Sequence, residues 1–225
     1  MRNVIYILML SVALSYTLNA SAQFILTDQM GQPVLTKSYT NVQGSAYLYN
    51  NWMKGSMTTG NGVTFDGVEL MYDQVVDELI FKDGKGQAKI PTQPIVEFTI
   101  KPMLDSGPLQ ERVFRRGFIP ADGANPNTFY EVLADGEVQL LKRVTKSIFE
   151  ELPYGSATKI KVFKTDEYFY IAHNEKLTQI RNNKKSVLSA LPHKKTKLEA
   201  YLKAHKPDLK NEAELAKLVG YYNGL

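Results

Sequence analysis

The chain has 225 residues, no cysteine and a formal net charge of +4. The absence of cysteine excludes disulfides, thiol nucleophiles and thiolate metal ligands from this sequence. A net charge this small gives no reason to expect nucleic acid as a partner of the whole molecule. With 44% hydrophobic residues, a chain of this length can bury a sizeable core without covalent cross-links.

The first 22 residues have the pattern of an export signal. Arg2 precedes an apolar run from Val4 to Leu18, and Ala20-Ser21-Ala22 forms an A-x-A cleavage site. The run is shorter than the roughly 20 residues that cross a bilayer as a helix. We therefore expect residues 1–22 to be removed as a signal peptide, the alternative being a retained anchor helix. The mature protein would start at Gln23 in the periplasm or at the outer membrane, without a transmembrane helix.

Residues 23–182 are predicted to form an antiparallel β region. Apolar and polar residues alternate along 96–100 and 159–162, and Val68, Leu70 and Tyr72 alternate with Glu69 and Met71, as in strands that bury one face. Asn-Gly and Asp-Gly pairs at 61–62, 66–67, 83–84 and 135–136 predict turns. Their spacing is typical of a meander, a sandwich or a partial barrel. The polar loop at 120–127 is either a seam between two β units, which we prefer, or a long loop within one sheet.

Residues 183–225 are predicted to form two or three short helices. Thr196 with Glu199, and Asn211 with Glu214, have the spacing of capping boxes. A shorter helix is expected over 184–191. One helical face carries Leu198, Tyr201 and Leu202, and the next carries Leu215, Leu218, Val219 and Tyr222. These apolar faces predict that the helices pack on the β region, and the fold class is therefore mainly β (α+β).

The sequence offers no catalytic constellation. Ser156 and Lys159 have the S-x-x-K spacing of penicillin-recognising enzymes, but they lead into a strand pattern, which would separate the two side chains. The three histidines are scattered and none belongs to an H-E-x-x-H motif. We therefore predict a protein that is not an enzyme, with no catalytic residues, metal site or cofactor. A hydrolase assembled around His173 is a third, competing hypothesis.

Two segments are candidate interaction surfaces. Between Arg181 and Lys210 there are nine lysines and arginines but only two acidic residues. This segment could dock anionic lipid heads, lipopolysaccharide or an acidic partner, or it could be the solvated face of amphipathic helices. The candidate basic residues are Arg181, Lys184, Lys185, Lys194, Lys195 and Lys197. In the aromatic strand at 168–171, Tyr168 and Tyr170 could form a stacking platform for sugars or bases, or simply fill the core.

Several short sequence motifs, spread along the chain, together carry a resemblance to a known group of proteins. The set comprises Gly44-Ser45-Ala46-Tyr47-Leu48, Trp52, Gly55, Gly62-Val63-Thr64-Phe65, Tyr72, Asp77-Glu78-Leu79, Leu198, Tyr201, Leu218 and Tyr221-Tyr222-Asn223. In this set the chain resembles a group of uncharacterised exported envelope proteins of Bacteroidetes bacteria. The resemblance implies an envelope location and no assigned activity.

These features favour a non-enzymatic periplasmic or cell-envelope protein. Its partner would be an outer-membrane or envelope protein complex, in which it would be an accessory subunit. The alternative is a periplasmic carrier or binder of a lipid or glycan ligand, because a half-open β-barrel can enclose such a molecule.

Overall fold

The computed structural model of the protein describes residues 31–34, 39–104, 107–119, 124–191 and 193–225. The predicted signal peptide and its cleavage site lie outside the described residues. Within them the fold is mainly β, with a largely antiparallel sheet followed by three short helices, as predicted.

The described residues contain fourteen strands. They are β1 (Gly31–Pro33), β2 (Val42–Gln43), β3 (Met53–Thr59), β4 (Thr64–Asp73), β5 (Glu78–Lys82), β6 (Ala88–Pro91), β7 (Ile95–Lys101), β8 (Met103–Leu104), β9 (Gly107–Pro108), β10 (Arg112–Arg115), β11 (Tyr130–Ala134), β12 (Gln139–Glu151), β13 (Ile160–His173) and β14 (Lys176–Ile180).

Twelve of the strands form one sheet. Its order is β1-β6-β5-β4-β3-β7-β10-β11-β12-β13-β14, with β2 parallel to β13 and the other strand pairs antiparallel. Strands β8 and β9 form a separate two-stranded ribbon. The strands on either side of the predicted seam, β10 and β11, are hydrogen-bonded neighbours. The sheet therefore continues past the 120–127 loop, of which residues 120–123 lie outside the described part.

The first half of the sheet is strongly curled. Strands β6 and β7 are separated in the sheet by β5, β4 and β3, which is about 19 Å in a flat sheet. Only residues 92–94 connect them, and a chain from Pro91 to Ile95 can span about 14 Å at most. The sheet must therefore bend so that β6 returns towards β7, which gives a partial barrel.

Aromatic side chains fill the interior of this partial barrel. The rings of Phe98 and Phe114 stack with their centroids 4.7 Å apart, and Tyr72 and Phe129 pack beside them. All four side chains are buried. In the part of the chain that the structure describes, these four rings therefore fill the interior of the curled sheet.

The three helices cover the second half of the sheet. They are α1 (Lys184–Ala190), α2 (Lys195–His205) and α3 (Glu212–Asn223). Leu198, Leu215 and Leu218 are fully buried and share a core with Leu140 and Ile171 of the sheet. None of the helices in the described residues is long and apolar enough to cross a membrane.

The two predicted capping boxes have different outcomes. The Asn211 side chain caps α3 as predicted, by accepting hydrogen bonds from the backbone of Ala213 and Glu214, but the Glu214 carboxylate accepts from the backbone of Asp208 instead of that of Asn211. Thr196 does not cap α2, because that helix already begins at Lys195. Its N-terminal cap position is Lys194, whose backbone has a left-handed conformation. The N-terminal cap of α1 is the side chain of Asn183, which accepts from the backbone of Ser186.

Two strand predictions need correction, and β-bulges explain both. Gly67, predicted in a turn, lies inside β4 with a φ of 70°, and the pairing with β3 shifts register around it. Val96 was expected on the buried face with Phe98, but it is 37% exposed, whereas Ile95 is buried. A second register shift, between β3 and β7, turns Ile95 inward in its place.

Candidate interaction surfaces

Strands β12 and β13 form a hairpin that is longer than the sheet around it. They pair without interruption from Gln139 and Ala172 to Glu151 and Ile160. The neighbouring strand β11 pairs with β12 only as far as Lys142. Residues 147–164, called the distal arm below, therefore extend past the flanking strands. On one side, β2 still pairs with the arm at Lys161 and Val162.

Large apolar side chains of the distal arm are exposed. The exposed fractions are 45% for Ile148, 53% for Phe149 and 58% for Leu152, and Tyr154 is fully exposed. Because neighbouring residues of a strand point to opposite faces, Ile148 and Phe149 lie on opposite faces of the hairpin. The arm thus presents apolar groups on both faces.

The distal arm also has an open backbone edge. The N–H group of Lys146 points away from β13 and donates to the carbonyl oxygen of Gln74 at 3.0 Å. Backbone groups alternate in direction along a strand, so those of Ile148 and Glu150 point the same way. No described strand pairs with them there. An extended segment of another chain could add at this edge.

Lys146 marks the point where the hairpin leaves the body. Its side-chain ammonium donates hydrogen bonds to the carbonyl oxygens of Ser45 at 2.9 Å and Tyr47 at 2.7 Å. Burial lowers the pKa of Lys146, an effect partly opposed by the negative charge of Asp73. These contacts join the base of the distal arm to the segment that precedes β3.

The tip of the distal arm contains the S-x-x-K spacing. The Ser156 hydroxyl donates to the carbonyl oxygen of Thr158 at 2.9 Å, while the Lys159 ammonium lies 3.9 Å from Glu150. In the described residues Ser156 and Lys159 therefore make no contact with each other. The spacing belongs to a turn before a strand, as predicted.

Four of the predicted basic residues line adjoining hollows on the helical side. Arg181 and Lys185 line one hollow of about 570 Å³, and Lys184, Lys185 and Lys195 line another of about 500 Å³. All four side chains are exposed. We call these four residues the basic surface, because they form a continuous patch across α1 and the start of α2.

The other two predicted lysines behave differently. Lys194 lies 3.4 Å from a Glu137 carboxylate oxygen, and its ammonium is 4.6 Å from the centre of the Tyr222 ring. It is half-buried and contributes to packing between the helices and the sheet. Lys197 is exposed but lines neither hollow. Lys194 is thus tied up in packing, whereas the exposed Lys197 stays a predicted interaction residue outside the two hollows.

The aromatic platform is not formed. Tyr170 is fully buried, and its ring meets that of Tyr130 edge to face at 5.4 Å. Tyr168 is half-buried and packs against the same cluster. The prediction that Tyr170 belongs to an interaction surface is wrong, because its strand lies between β12 and β14, where aromatic side chains fill the core.

The His173 hypothesis gains no supporting contact. The side chain is half-buried at the end of β13, and in the described residues no hydrogen bond involves its ring. Nor do three histidine or carboxylate side chains of the described residues come together as a potential metal site.

No family model, curated protein or solved structure matches the chain. The resemblance to exported envelope proteins therefore remains a prediction.

Several of the residues that carry this resemblance have a structural role in the described part of the chain. A Cβ atom on Gly55 would lie 2.0 Å from the carbonyl oxygen of Thr99, so only glycine fits between β4 and β7. The side-chain amide of Asn223 accepts a hydrogen bond from the backbone N–H of Val138 and donates one to the carbonyl oxygen of the same residue. These two bonds hold α3 to the sheet.

Sequence reasoning missed the distal arm. Its clearest signal was the adjacent pair Ile148-Phe149, because two neighbouring apolar residues of a strand cannot both face one core. The alternation at Ile160 and Val162 was assigned to a buried face. Both residues are only half-buried, because their strand has left the body of the protein.

Proposed function

We propose that the protein is a non-enzymatic, exported envelope protein that acts as an accessory subunit of an outer-membrane assembly. It docks to a partner protein through the distal arm. The observation that carries this proposal is the exposure of Phe149, Leu152 and Tyr154 on a hairpin that extends beyond the sheet. Exposed apolar groups clustered in this way are typical of interaction sites.

The chemistry of the arm favours a protein over a lipid bilayer as its occupant. Apolar side chains on both faces call for an environment that surrounds the hairpin. A bilayer would do this, but it would leave the backbone edge at Ile148 and Glu150 without hydrogen bonds, which costs several kcal/mol per group. It would also have to accommodate the charges of Glu150, Glu151 and Lys161. A groove in a partner protein can supply apolar contacts, a strand edge and polar groups together.

The basic surface gives the proposed assembly a second contact. Arg181, Lys184, Lys185 and Lys195 are exposed, and no ion pair involving them occurs in the described residues. They suit an acidic segment of the partner or anionic groups at the membrane surface. Such charges accelerate and orient association more than they strengthen it.

Carriage of a lipid inside the curled sheet has less support. The interior holds the packed rings of Tyr72, Phe98, Phe114 and Phe129, and a carrier needs an enclosed apolar cavity. A ligand role would have to use the mouth of the partial barrel instead.

Co-purification from native envelopes tests the docking proposal. Tagged wild-type protein should retrieve a membrane protein after solubilisation, and the double variant Phe149→Ser plus Tyr154→Ser should lose it. The matched control is Met103→Ser plus Leu109→Ser, which also removes two exposed apolar side chains, 65% and 46% exposed, but outside the arm. The control should retrieve the partner as the wild type does.

Two results would contradict the proposal. One is retrieval of the same partner by the arm variant and the wild type in equal amounts. The other is flotation of the purified wild type, but not of the arm variant, with vesicles of phosphatidylethanolamine and phosphatidylglycerol that contain no protein. The second result would assign the arm to the lipid surface.

A further inference from the structure

A cleft of about 320 Å³ lies at the mouth of the partial barrel. It is formed where β5 begins, along the connection from β6 to β7, and just after β10 ends. Its lining includes Asp77, Ile90, Ile95, Arg116 and Phe129. Small-molecule sites recur at the mouths of β-barrels, where a few polar groups converge on an apolar wall.

Three arginines lie close together in the chain, and one differs from the others. Arg112 makes two hydrogen bonds of 2.6 Å to the Glu131 carboxylate. Arg115 bonds Glu97 at 2.8 Å and Asp135 at 3.1 Å. Arg116 has no carboxylate within 4.0 Å among the described residues. Its guanidinium lies 5.2 Å from the centre of the Phe129 ring and lines the cleft.

The lack of a carboxylate partner for Arg116 costs free energy, because its surroundings remove part of the side chain from water. The side chain is half-buried, and burial lowers the pKa of Arg116. A guanidinium removed from water normally keeps carboxylate or other acceptor partners, as Arg112 and Arg115 do. An anion entering the cleft would supply the missing acceptor.

The carboxylate of Asp77, which also lines the cleft, already has other partners. Asp77 accepts a hydrogen bond of 2.5 Å from the Tyr72 hydroxyl and bonds of 3.3–3.4 Å from the backbone N–H of Phe129. Its backbone is held in the left-handed region at a φ of 57°. Asp77 therefore fixes the floor of the cleft and attracts Arg116 only at longer range.

The walls and the charges together restrict the ligand. Leu79, Ile90 and Ile95 provide apolar surface, and Asn127 adds an amide at the rim. One planar guanidinium matches the two oxygens of a carboxylate. Asp77 and Glu78 both line the cleft, and their negative charges would repel a doubly charged phosphate more than a singly charged carboxylate. We infer that the cleft binds a small organic carboxylate with an apolar body, and that Arg116 holds the carboxylate group.

Titration with hexanoate, followed by calorimetry and by amide shifts in NMR spectra, tests this inference. Hexanoate should bind the wild type saturably, whereas hexan-1-ol, which lacks the charge, should bind at least about tenfold more weakly. Arg116→Gln should weaken hexanoate binding by at least about tenfold, and Arg116→Lys by less, because lysine retains the charge without the planar fork. Arg181→Gln, the same change on the exposed basic surface, should leave binding unchanged.

A second variant keeps the test decisive if Arg116→Gln does not fold. Ile90→Trp enlarges a half-buried wall residue, leaves Arg116 intact, and should block hexanoate by filling the cleft. Absence of saturable hexanoate binding to the wild type would overturn the inference. So would equal binding of hexanoate and hexan-1-ol, or binding that survives both Arg116→Gln and Ile90→Trp. None of these outcomes bears on docking through the distal arm, because the cleft and the arm share no residue.

Discussion

The two halves of the β12–β13 hairpin have the same secondary structure and opposite environments. Near the turn between β11 and β12, Leu140, Leu141, Tyr170 and Ile171 are at most 1% exposed. Seven residues after Leu141 on the same strand, Ile148 and its neighbour Phe149 are about half exposed. Both halves keep an uninterrupted backbone ladder. The difference lies in what covers them, since the pairing with β11 and β14 ends before the arm, and β2 pairs with the arm only at Lys161 and Val162.

This comparison separates residues that stabilise the fold from residues that are available for binding. In the proximal half, each large apolar side chain removes surface from water, which is worth roughly 1.5–3 kcal/mol. In the distal half the same types of side chain remain in water and contribute little of this energy. The apolar character of the arm therefore has little explanation in folding stability, and the proposed association with a partner would supply one.

The largest expected effect comes from removing the helical cover of the proximal half. Leu202 and Leu218 are buried in the core shared with β12 and β13, and a buried leucine changed to alanine costs about 2–5 kcal/mol. Leu202→Ala plus Leu218→Ala therefore removes much of a total stability of about 5–15 kcal/mol. Thermal unfolding followed by circular dichroism should show a markedly lower Tm. An unchanged Tm would mean that the helices are not packed on the sheet.

A matched pair of single changes tests the hairpin directly. Leu140→Ala, in the proximal half, should lower the free energy of unfolding by about 2–5 kcal/mol, because it leaves a cavity in the core. Ile148→Ala, eight residues further along the same strand, should change it by no more than about 0.5 kcal/mol. Urea denaturation of the two variants gives both values. Similar losses from both would contradict the contrast between the two halves.

The sequence predicts the strands in the body of the sheet better than the distal arm, for a physical reason. Strands with one face in a core must alternate, as Val68, Leu70 and Tyr72 do, and all three are buried. Bulges break this rule, because one extra residue reverses the faces, as at Val96. The distal arm escapes the rule altogether, since no core dictates which of its residues are apolar.

The candidate sites depended on contacts that sequence spacing does not contain. Lys194 was grouped with its basic neighbours, but Glu137, which is distant in sequence, turns it into a packing residue. The cleft was not anticipated, because Asp77 and Arg116 meet only when the sheet curls and brings β5 near the end of β10. What distinguishes Arg116 from Arg115 is the fold around it, although the two are adjacent in the chain.

The smallest effect is expected at the boundary between the two halves, where Lys146 anchors the arm. Lys146→Met keeps the length of the side chain but removes the hydrogen bonds to the carbonyl oxygens of Ser45 and Tyr47. Since the site is half-exposed and water can partly replace the ammonium, we expect a loss of only about 1 kcal/mol near neutral pH. Lys164→Met, which removes an exposed lysine from the arm, is the control and should cost less than about 0.5 kcal/mol.

The pH dependence of this loss identifies its cause. Because burial lowers the pKa of Lys146 from its ordinary value of 10.5, the folded state binds fewer protons there than the unfolded state between the lowered pKa and 10.5. Stability contributed by this group therefore rises with pH through that window. The difference in unfolding free energy between the wild type and Lys146→Met should accordingly increase as the pH approaches 10.5. A difference that stays flat would show that Lys146 is not desolvated in the folded state, and one that shrinks on the alkaline side would show that its hydrogen bonds outweigh its burial.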